Sequence, residues 1–274
     1  MKTLHKSALS LPVLLWLLCL TPACTRFAPP FIPQGKGGTY LIINVKSDPA
    51  QLDQTMAQTI AVIEKRCELL VIRCELERLS GDQASRIKLR TSSSMDPERI
   101  KRILLSQGEE LELRAVVSPP VPSPVKRYPT QKEAAAAAGQ DKDVMPYLEN
   151  DAGSEGSTKS FVVVERTPIV TGQDIRQAEA VPSYDQEHYR IDFKLNPAGA
   201  NRFGEWTGAN VNNYLAVVLN KEVRSVAYIK SQIFDSGQIT GRFTKQQAED
   251  TAMLLRSGSL PASVEAVEEG TDKP

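Results

Sequence analysis

Residue types able to do acid–base, covalent or metal chemistry are sparse in this chain of 274 residues. Beyond the N-terminal segment there is a single histidine, His188, set between Glu187 and Tyr189. A general base must sit within reach of the proton it takes, and a nucleophile needs such a base beside it. A lone imidazole in a polar stretch reads as a surface residue. Cys67, Cys74 and His188 lack the close pairing of ligands found in zinc sites. Gly37-Gly38 and Gly237 with Gly241 lack the Gly-x-x-x-x-Gly-Lys-Ser/Thr spacing of a phosphate cradle and read as turn formers. Carboxylates are numerous but scattered, with Glu109-Glu110 and Glu268-Glu269 expected on solvated ends. No catalytic residue, metal set or cofactor is assigned, and the chain is read as a non-enzyme.

Cysteine chemistry is the exception. Lys2 and Lys6 precede an apolar run from Ala8 to Leu20, and Thr21-Pro22-Ala23-Cys24 follows. About 13 residues is short of the roughly 20 that cross a bilayer, so residues 1–23 read as a cleaved signal peptide. Small Ala23 before Cys24 resembles a bacterial lipoprotein processing site, and a lipid on Cys24 would tether the body to a membrane surface. Ordinary signal cleavage, releasing an unanchored protein, is the other reading. Cys67 and Cys74 would lie about 10 Å apart along a continuous helix, too far for a disulfide. They can join only if the helix ends between them, and from Ile72 the pattern does turn strand-like; two buried thiols are the alternative.

Composition describes a folded body: 41% hydrophobic and 24% charged residues, with a net charge of +0. Losing residues 1–23 removes two lysines and no acid, leaving about −2, which gives nucleic acid no basic face to bind. Pro29, Pro30, Pro33, Gly35 and Gly37 make residues 24–37 a flexible tether. Tyr40–Lys46 alternates Leu41, Ile43 and Val45 as a half-buried strand. Met56, Ile60, Ile63, Cys67 and Leu70 form the stripe of an amphipathic helix. A hairpin around Gly81-Asp82, a helix from Pro97 and a strand at Leu111–Val117 complete a β-α-β-β-α-β order, the ferredoxin-like split unit of an α+β protein. Five prolines from Pro119 to Pro129, the Ala134–Ala138 run and Gly153 to Ser160 then mark residues 119–160 as a linker or flexible insertion. Strands are expected at Phe161–Glu165, Tyr189–Leu195, Leu215–Asn220 and Glu222–Ile229, with Asn220-Lys221 as a tight turn.

Helix signals frame the rest. Thr244-Lys245-Gln246-Gln247 is a capping box, Asn196-Pro197 and Asp96-Pro97 each set a cap before a first-turn proline, and Gly258 with Pro261 stops the last helix. Helices at Pro197–Thr207 and Lys245–Arg256 should cover one face of the second sheet.

These junctions resemble the protein-export membrane protein SecD in its first extracytoplasmic domain. Ser236–Thr244 is similar to the family's S-G-x-I-x-G-x-F-T strand, and Leu254–Pro261 to its L-L-R-x-G-x-L-P helix end. Pro168–Ile175 looks like P-x-V-T-G-x-D-L, and Asp96–Arg99 with Leu111–Arg114 looks like D-P-E-R and L-E-F-R. One departure is Leu70-Val71-Ile72, where relatives carry Leu-Gly-Val. The resemblance implies a base, residues 38–118 plus 257–270, with a strand near Val264–Val267 returning to it, and an inserted α+β head, residues 119–256. It implies a place in the cell envelope on the periplasmic side, and partners among unfolded preprotein and the SecD/SecF/SecY translocon. No segment after Leu20 approaches 18 apolar residues, so no proton-driven channel is expected. Phe203, Trp206 and Tyr214 are candidates for a peptide-binding cleft, with core packing as the alternative. A structural envelope lipoprotein that kept the fold without the export role is the rival reading.

Overall fold

A computed structural model describes residues 38–149, 158–184 and 187–271. The expected signal peptide, the tether over 24–37 and Cys24 lie outside the described residues. The elements begin with β1 (Thr39–Val45), α1 (Leu52–Leu70), β2 (Arg73–Arg78), β3 (Arg86–Ser92), α2 (Pro97–Leu105) and β4 (Leu111–Ala115). Next come α3 (Gln131–Ala138), β5 (Lys142–Glu149), β6 (Thr158–Glu165), β7 (Val170–Thr171), β8 (Ile175–Pro182) and β9 (Tyr189–Leu195). The series closes with α4 (Pro197–Ala209), β10 (Tyr214–Leu219), β11 (Glu222–Tyr228), β12 (Ser236–Phe243), α5 (Lys245–Ser257) and β13 (Val264–Thr271). The described residues are α+β, built on three sheets and five helices.

The four-stranded sheet runs β13-β1-β3-β2, all neighbours antiparallel. Alternation along β1 sends Leu41, Ile43 and Val45 inward. There they meet Met56, Ile63 and Cys67 of α1, Ile100, Ile103 and Leu104 of α2, and Met253 and Leu254 of α5. One expectation is corrected here. Leu111–Ala115 does not close this unit, because β4 pairs β10 and β7 in the six-stranded sheet β6-β5-β11-β10-β4-β7. The fourth strand of the first sheet is β13, about 150 residues further along the chain. Local periodicity marks a strand but not its partner, and both segments alternate equally well.

Segment 119–160 is likewise corrected where it is described. Thr130 Oγ1 accepts from the Glu133 N–H, and the alanine run after it forms α3, which buries Ala134 and Ala138 against Val163. Alanine is the best helix former, so the low-complexity run makes a helix. β5 then pairs β6 over eight residue pairs. Tyr128 and Phe161 exchange both backbone hydrogen bonds, so the proline-rich stretch is fastened to the outer edge of β6.

Strand β10 is buried on both faces. Leu215, Val217 and Leu219 face a core shared with the three-stranded sheet β12-β9-β8, Phe203 of α4, and Ala248, Ala252 and Leu255 of α5. Ala216 and Val218 face a second core with Met145, Val162 and Val164. The turn after β10 places Asn220 and Lys221 at φ of 53° and 63°, the left-handed pair of a tight hairpin, without glycine. β8 had no counterpart among the expected strands; its Gln177, Glu179 and Val181 supply too little apolar alternation to announce it.

Candidate functional site

The chain passes twice between the four-stranded unit and the larger body, at 105–110 and again at 257–263, and the passages lie side by side. The Leu260 N–H donates to the Gln107 carbonyl at 2.9 Å, and Gln107 Nε2 donates to the Ala262 carbonyl at 3.3 Å. Gly108 sits at φ +107°, and a Cβ there would come within 2.8 Å of the Ser259 Cα, so only glycine fits.

Arg66, near the end of α1, holds both passages. It is fully buried, at 0% exposure. Its Nη1 donates to the carbonyls of Ile103 at 3.1 Å, Leu104 at 2.9 Å and Ser106 at 2.5 Å. On the other side Nη2 donates to the Gly258 carbonyl at 3.0 Å and Nε to Ser257 Oγ at 3.2 Å. These acceptors are the carbonyl ends of α2 and α5, where orphan groups and the negative end of the helix dipole favour a cation. Burial pushes the guanidinium pKa down to about 10, which leaves it charged at any physiological pH.

A third contact docks the β10–β11 turn on the first passage. Asn220 Oδ1 accepts from the Glu110 N–H at 3.0 Å, the Asn220 N–H donates to the Glu110 carbonyl at 2.9 Å, and Asn220 Nδ2 donates to Glu109. Glu109 is therefore not on a freely solvated end. Burial raises its carboxyl pKa above the usual range, against the opposing pull of Asn220 and Arg224.

Pro168–Ile175 and Asn196-Pro197 also prove to be joints. Thr171 and Asp174 form a reciprocal capping box, and Asp174 pairs with Arg202 at 2.7 Å. The Asn196 N–H donates to the Asp174 carbonyl at 2.7 Å, and Asn196 Oδ1 caps α4 by accepting from the Gly199 N–H at 2.8 Å. A Cβ on Gly199 would lie 2.7 Å from the Asp174 Cβ. Burial would raise the Asp174 pKa, but the Thr171 N–H and the Arg202 guanidinium together hold it below its ordinary value.

Phe203, Trp206 and Tyr214 do not line one cleft, which corrects the expectation of a shared peptide site. Phe203 is 2% exposed in the main core and Trp206 packs half-buried against it. Tyr214 packs on the opposite side of β10, its hydroxyl donating to the Ser123 carbonyl at 2.6 Å. What does open to solvent is a concavity of about 610 Å³ on the three-stranded sheet, flanked by Gln177, Glu179, Asp192, Lys194, Gln238 and Arg256. Glu179 and Asp192 with Lys194 and Arg256 give it both charge signs. Two quoted motifs reach it, Ser236–Thr244 through Ser236, Gly237 and Gln238 and Leu254–Pro261 through Arg256, while Gln177, Glu179, Asp192 and Lys194 lie on strands whose polar side chains alternate with core residues.

Cys67 and Cys74 are joined by a disulfide with Cα atoms 6.1 Å apart, since α1 stops at Leu70 and β2 starts at Arg73. His188 lies at the β8–β9 connection, its carbonyl accepting from the Ser183 N–H. Among the described residues, no three His, Cys, Asp or Glu side chains gather as a metal cage, and no helix is long and apolar enough to cross a membrane.

Residues 145–262 match the family of the SecDF P1 head subdomain. The protein translocase subunit SecD of Koribacter versatilis is 36% identical over 245 residues, covering 88% of this chain and 43% of that protein. The SecD subunit of Aquifex aeolicus is 31% identical over 218 residues, covering 79% and 39%. The chain thus spans about two fifths of the curated relatives it matches. A solved SecDF in super-membrane-facing form superposes with a TM-score of 0.60 at 22% identity, covering 86% of this chain and 30% of that one. A second solved chain, from work on SecDF as a membrane component that enhances protein export, gives 0.54 at 21% identity, covering 84% of this chain and 98% of its own. At those identities the solved structures show a common fold. The P1 head match and the SecD relatives make the chain similar to the first periplasmic domain of SecD, and the solved structures show that it shares that fold.

Proposed function

We propose that this chain acts in protein export as a periplasmic module that binds preprotein or components of the SecD/SecF/SecY translocon. The observation that carries the reading is the 36% identity to a SecD subunit over 245 residues, 88% of this chain. The reading gives the module no proton-driven channel of its own and no catalytic step, and anchors it through a lipid on Cys24.

Within this reading the base comprises β1 to α2 with β13, and the head runs from β4 to α5. The order β13-β1-β3-β2, with α1 and α2 packed on one face, supports a ferredoxin-like base. The open concavity of the head, rather than the buried Phe203, is the surface for an extended polypeptide, which could meet its amide-bearing and charged groups together.

The test is site-specific photocrosslinking from Gln238 in secreting cells, with Asp82 on the base as control. Capture of a nascent secretory protein or a Sec subunit from Gln238 supports the reading, and equal yields from both positions refute it. Fractionation with a Cys24→Ala variant tests the anchor, which predicts loss of membrane association. The rival reading, an envelope scaffold, is favoured by the Leu70-Val71-Ile72 departure and predicts crosslinks to envelope proteins outside the Sec machinery.

A further inference from the structure

Val71 is the residue least suited to its place. It follows the last turn of α1 at φ 56° and ψ 39°, the left-handed region that glycine adopts freely and a β-branched residue resists. The backbone there closes in two hydrogen bonds, Val71 N–H to the Glu68 carbonyl at 3.0 Å and Ile72 N–H to the Cys67 carbonyl at 3.1 Å. That is the Schellman pattern, whose left-handed residue is usually glycine. The side chain contributes nothing by burial, being 91% exposed. Cys67 accepts one of the two bonds through its carbonyl, and its side chain is bridged to Cys74 in the second residue of β2. The disulfide therefore spans the corner from the last helical turn to the first strand pairs.

We propose that the Cys67–Cys74 bridge is a redox-set clasp that holds this left-handed valine corner closed, so that reduction opens the α1–β2 corner while the rest of the fold persists. An edge strand is what opens, since β2 pairs only with β3 and its first pairs are Arg73 with Ser92 and Cys74 with Thr91. Cys67 is buried at 4% exposure whereas Cys74 is half-buried, so Cys74 Sγ is the sulfur that a dithiol can reach. A thiolate of the dithiol attacks it, the S–S bond breaks, and Cys67 leaves as thiolate and takes up a proton. The second thiol of the reductant then displaces Cys74, leaving two protein thiols and an oxidised dithiol. With the bridge gone, fraying of the last turn of α1 relieves Val71, and no other disulfide among the described residues opposes it.

The test is hydrogen exchange by mass spectrometry on the purified protein, with and without dithiothreitol, with thiol labelling to establish that the bridge has been cut. In the wild type, reduction is expected to speed exchange in peptides covering 67–76 about tenfold or more, the population change that one left-handed residue commands, and to leave peptides covering β9 and β10 unchanged. In Val71→Gly the same reduction should change exchange at 67–76 by less than half as much on a logarithmic scale. A Cys67→Ala/Cys74→Ala variant should match the reduced wild type. The proposal is overturned if 67–76 exchanges alike before and after reduction, if β9 and β10 speed up in step with the corner, or if Val71→Gly opens as far as the wild type.

Discussion

Replacing Arg66 by methionine would keep an unbranched apolar stem and delete the group that spans both passages. Four backbone carbonyls, on Ile103, Leu104, Ser106 and Gly258, lose a charged donor, and Ser257 Oγ loses another. A hydrogen bond to a charged group contributes about 1.5–3 kcal/mol net, and an acceptor left buried without a partner costs a comparable amount. The sum is not additive, and removing a buried cation returns part of its desolvation cost. Breaking such a network is therefore expected to cost about 3–5 kcal/mol, a shift in Tm of roughly 6–20 °C for a body of this size. Arg66→Lys keeps the charge, but one ammonium cannot reach the ends of α2 and α5 together, so its loss should be more than half that of methionine. Urea unfolding followed by circular dichroism measures both. A loss below about 1 kcal/mol for Arg66→Met, or a lysine variant as stable as the wild type, would refute the account of Arg66 as the common anchor.

Three further outcomes follow from named contacts. Glu109→Gln keeps an acceptor for Asn220 and removes a charge that burial disfavours; the raised native pKa makes the fold lose stability as pH rises through the carboxylate range. The variant should flatten that decline and unfold at higher urea at pH 7, which a pH series of urea midpoints would read. Asp174 has the opposite sign, because its lowered native pKa contributes stability that is lost as pH falls below its unfolded value near 4. Asp174→Asn should therefore destabilise at pH 7 and show less acid sensitivity than the wild type in the same series. Gly199→Ala drives a methyl into Asp174 and is expected to cost about 1–3 kcal/mol, lowering Tm in a thermal melt despite alanine's better helix propensity.

Legibility in the sequence followed the range of the interactions. Caps were readable because they are contained within four residues: Thr244 with Gln247, Asn196 with Gly199 and Asp96 with Arg99 all form the hydrogen bonds their spacing calls for. The stripe of α1 was readable because Met56, Ile63 and Cys67 recur at helical period. Local alternation did not give the partner of β1, since β4 and β13 both carry alternating apolar residues; the return of a strand near Val264–Val267 came from the resemblance alone. The anchoring role of Arg66 was also hidden. It sits in the apolar stripe of an ordinary charged helix, and its acceptors are backbone carbonyls, which every residue has. Aromatic residues left two readings open, and core packing is the one Phe203 takes: it has the chemistry of a peptide-binding cleft and the environment of a core.

The hydrogen bond from Leu260 to Gln107 has a bearing on how such a chain could be assembled and rebuilt. It brings the two ends of a stretch of about 150 residues within one peptide's reach, so the stretch enters and leaves the four-stranded unit through a single doorway. A segment inserted in this way adds almost no loop-closure burden to its host, which is the geometry that tolerates insertion and excision. Joining Gln107 to Leu260 through a short turn would leave β1, β2, β3 and β13 correctly paired. It would still not give a finished miniature domain, because α5 lends Met253 and Leu254 to that core. The shortened chain would carry an apolar scar at that place, and a polar substitution there would be part of any working graft.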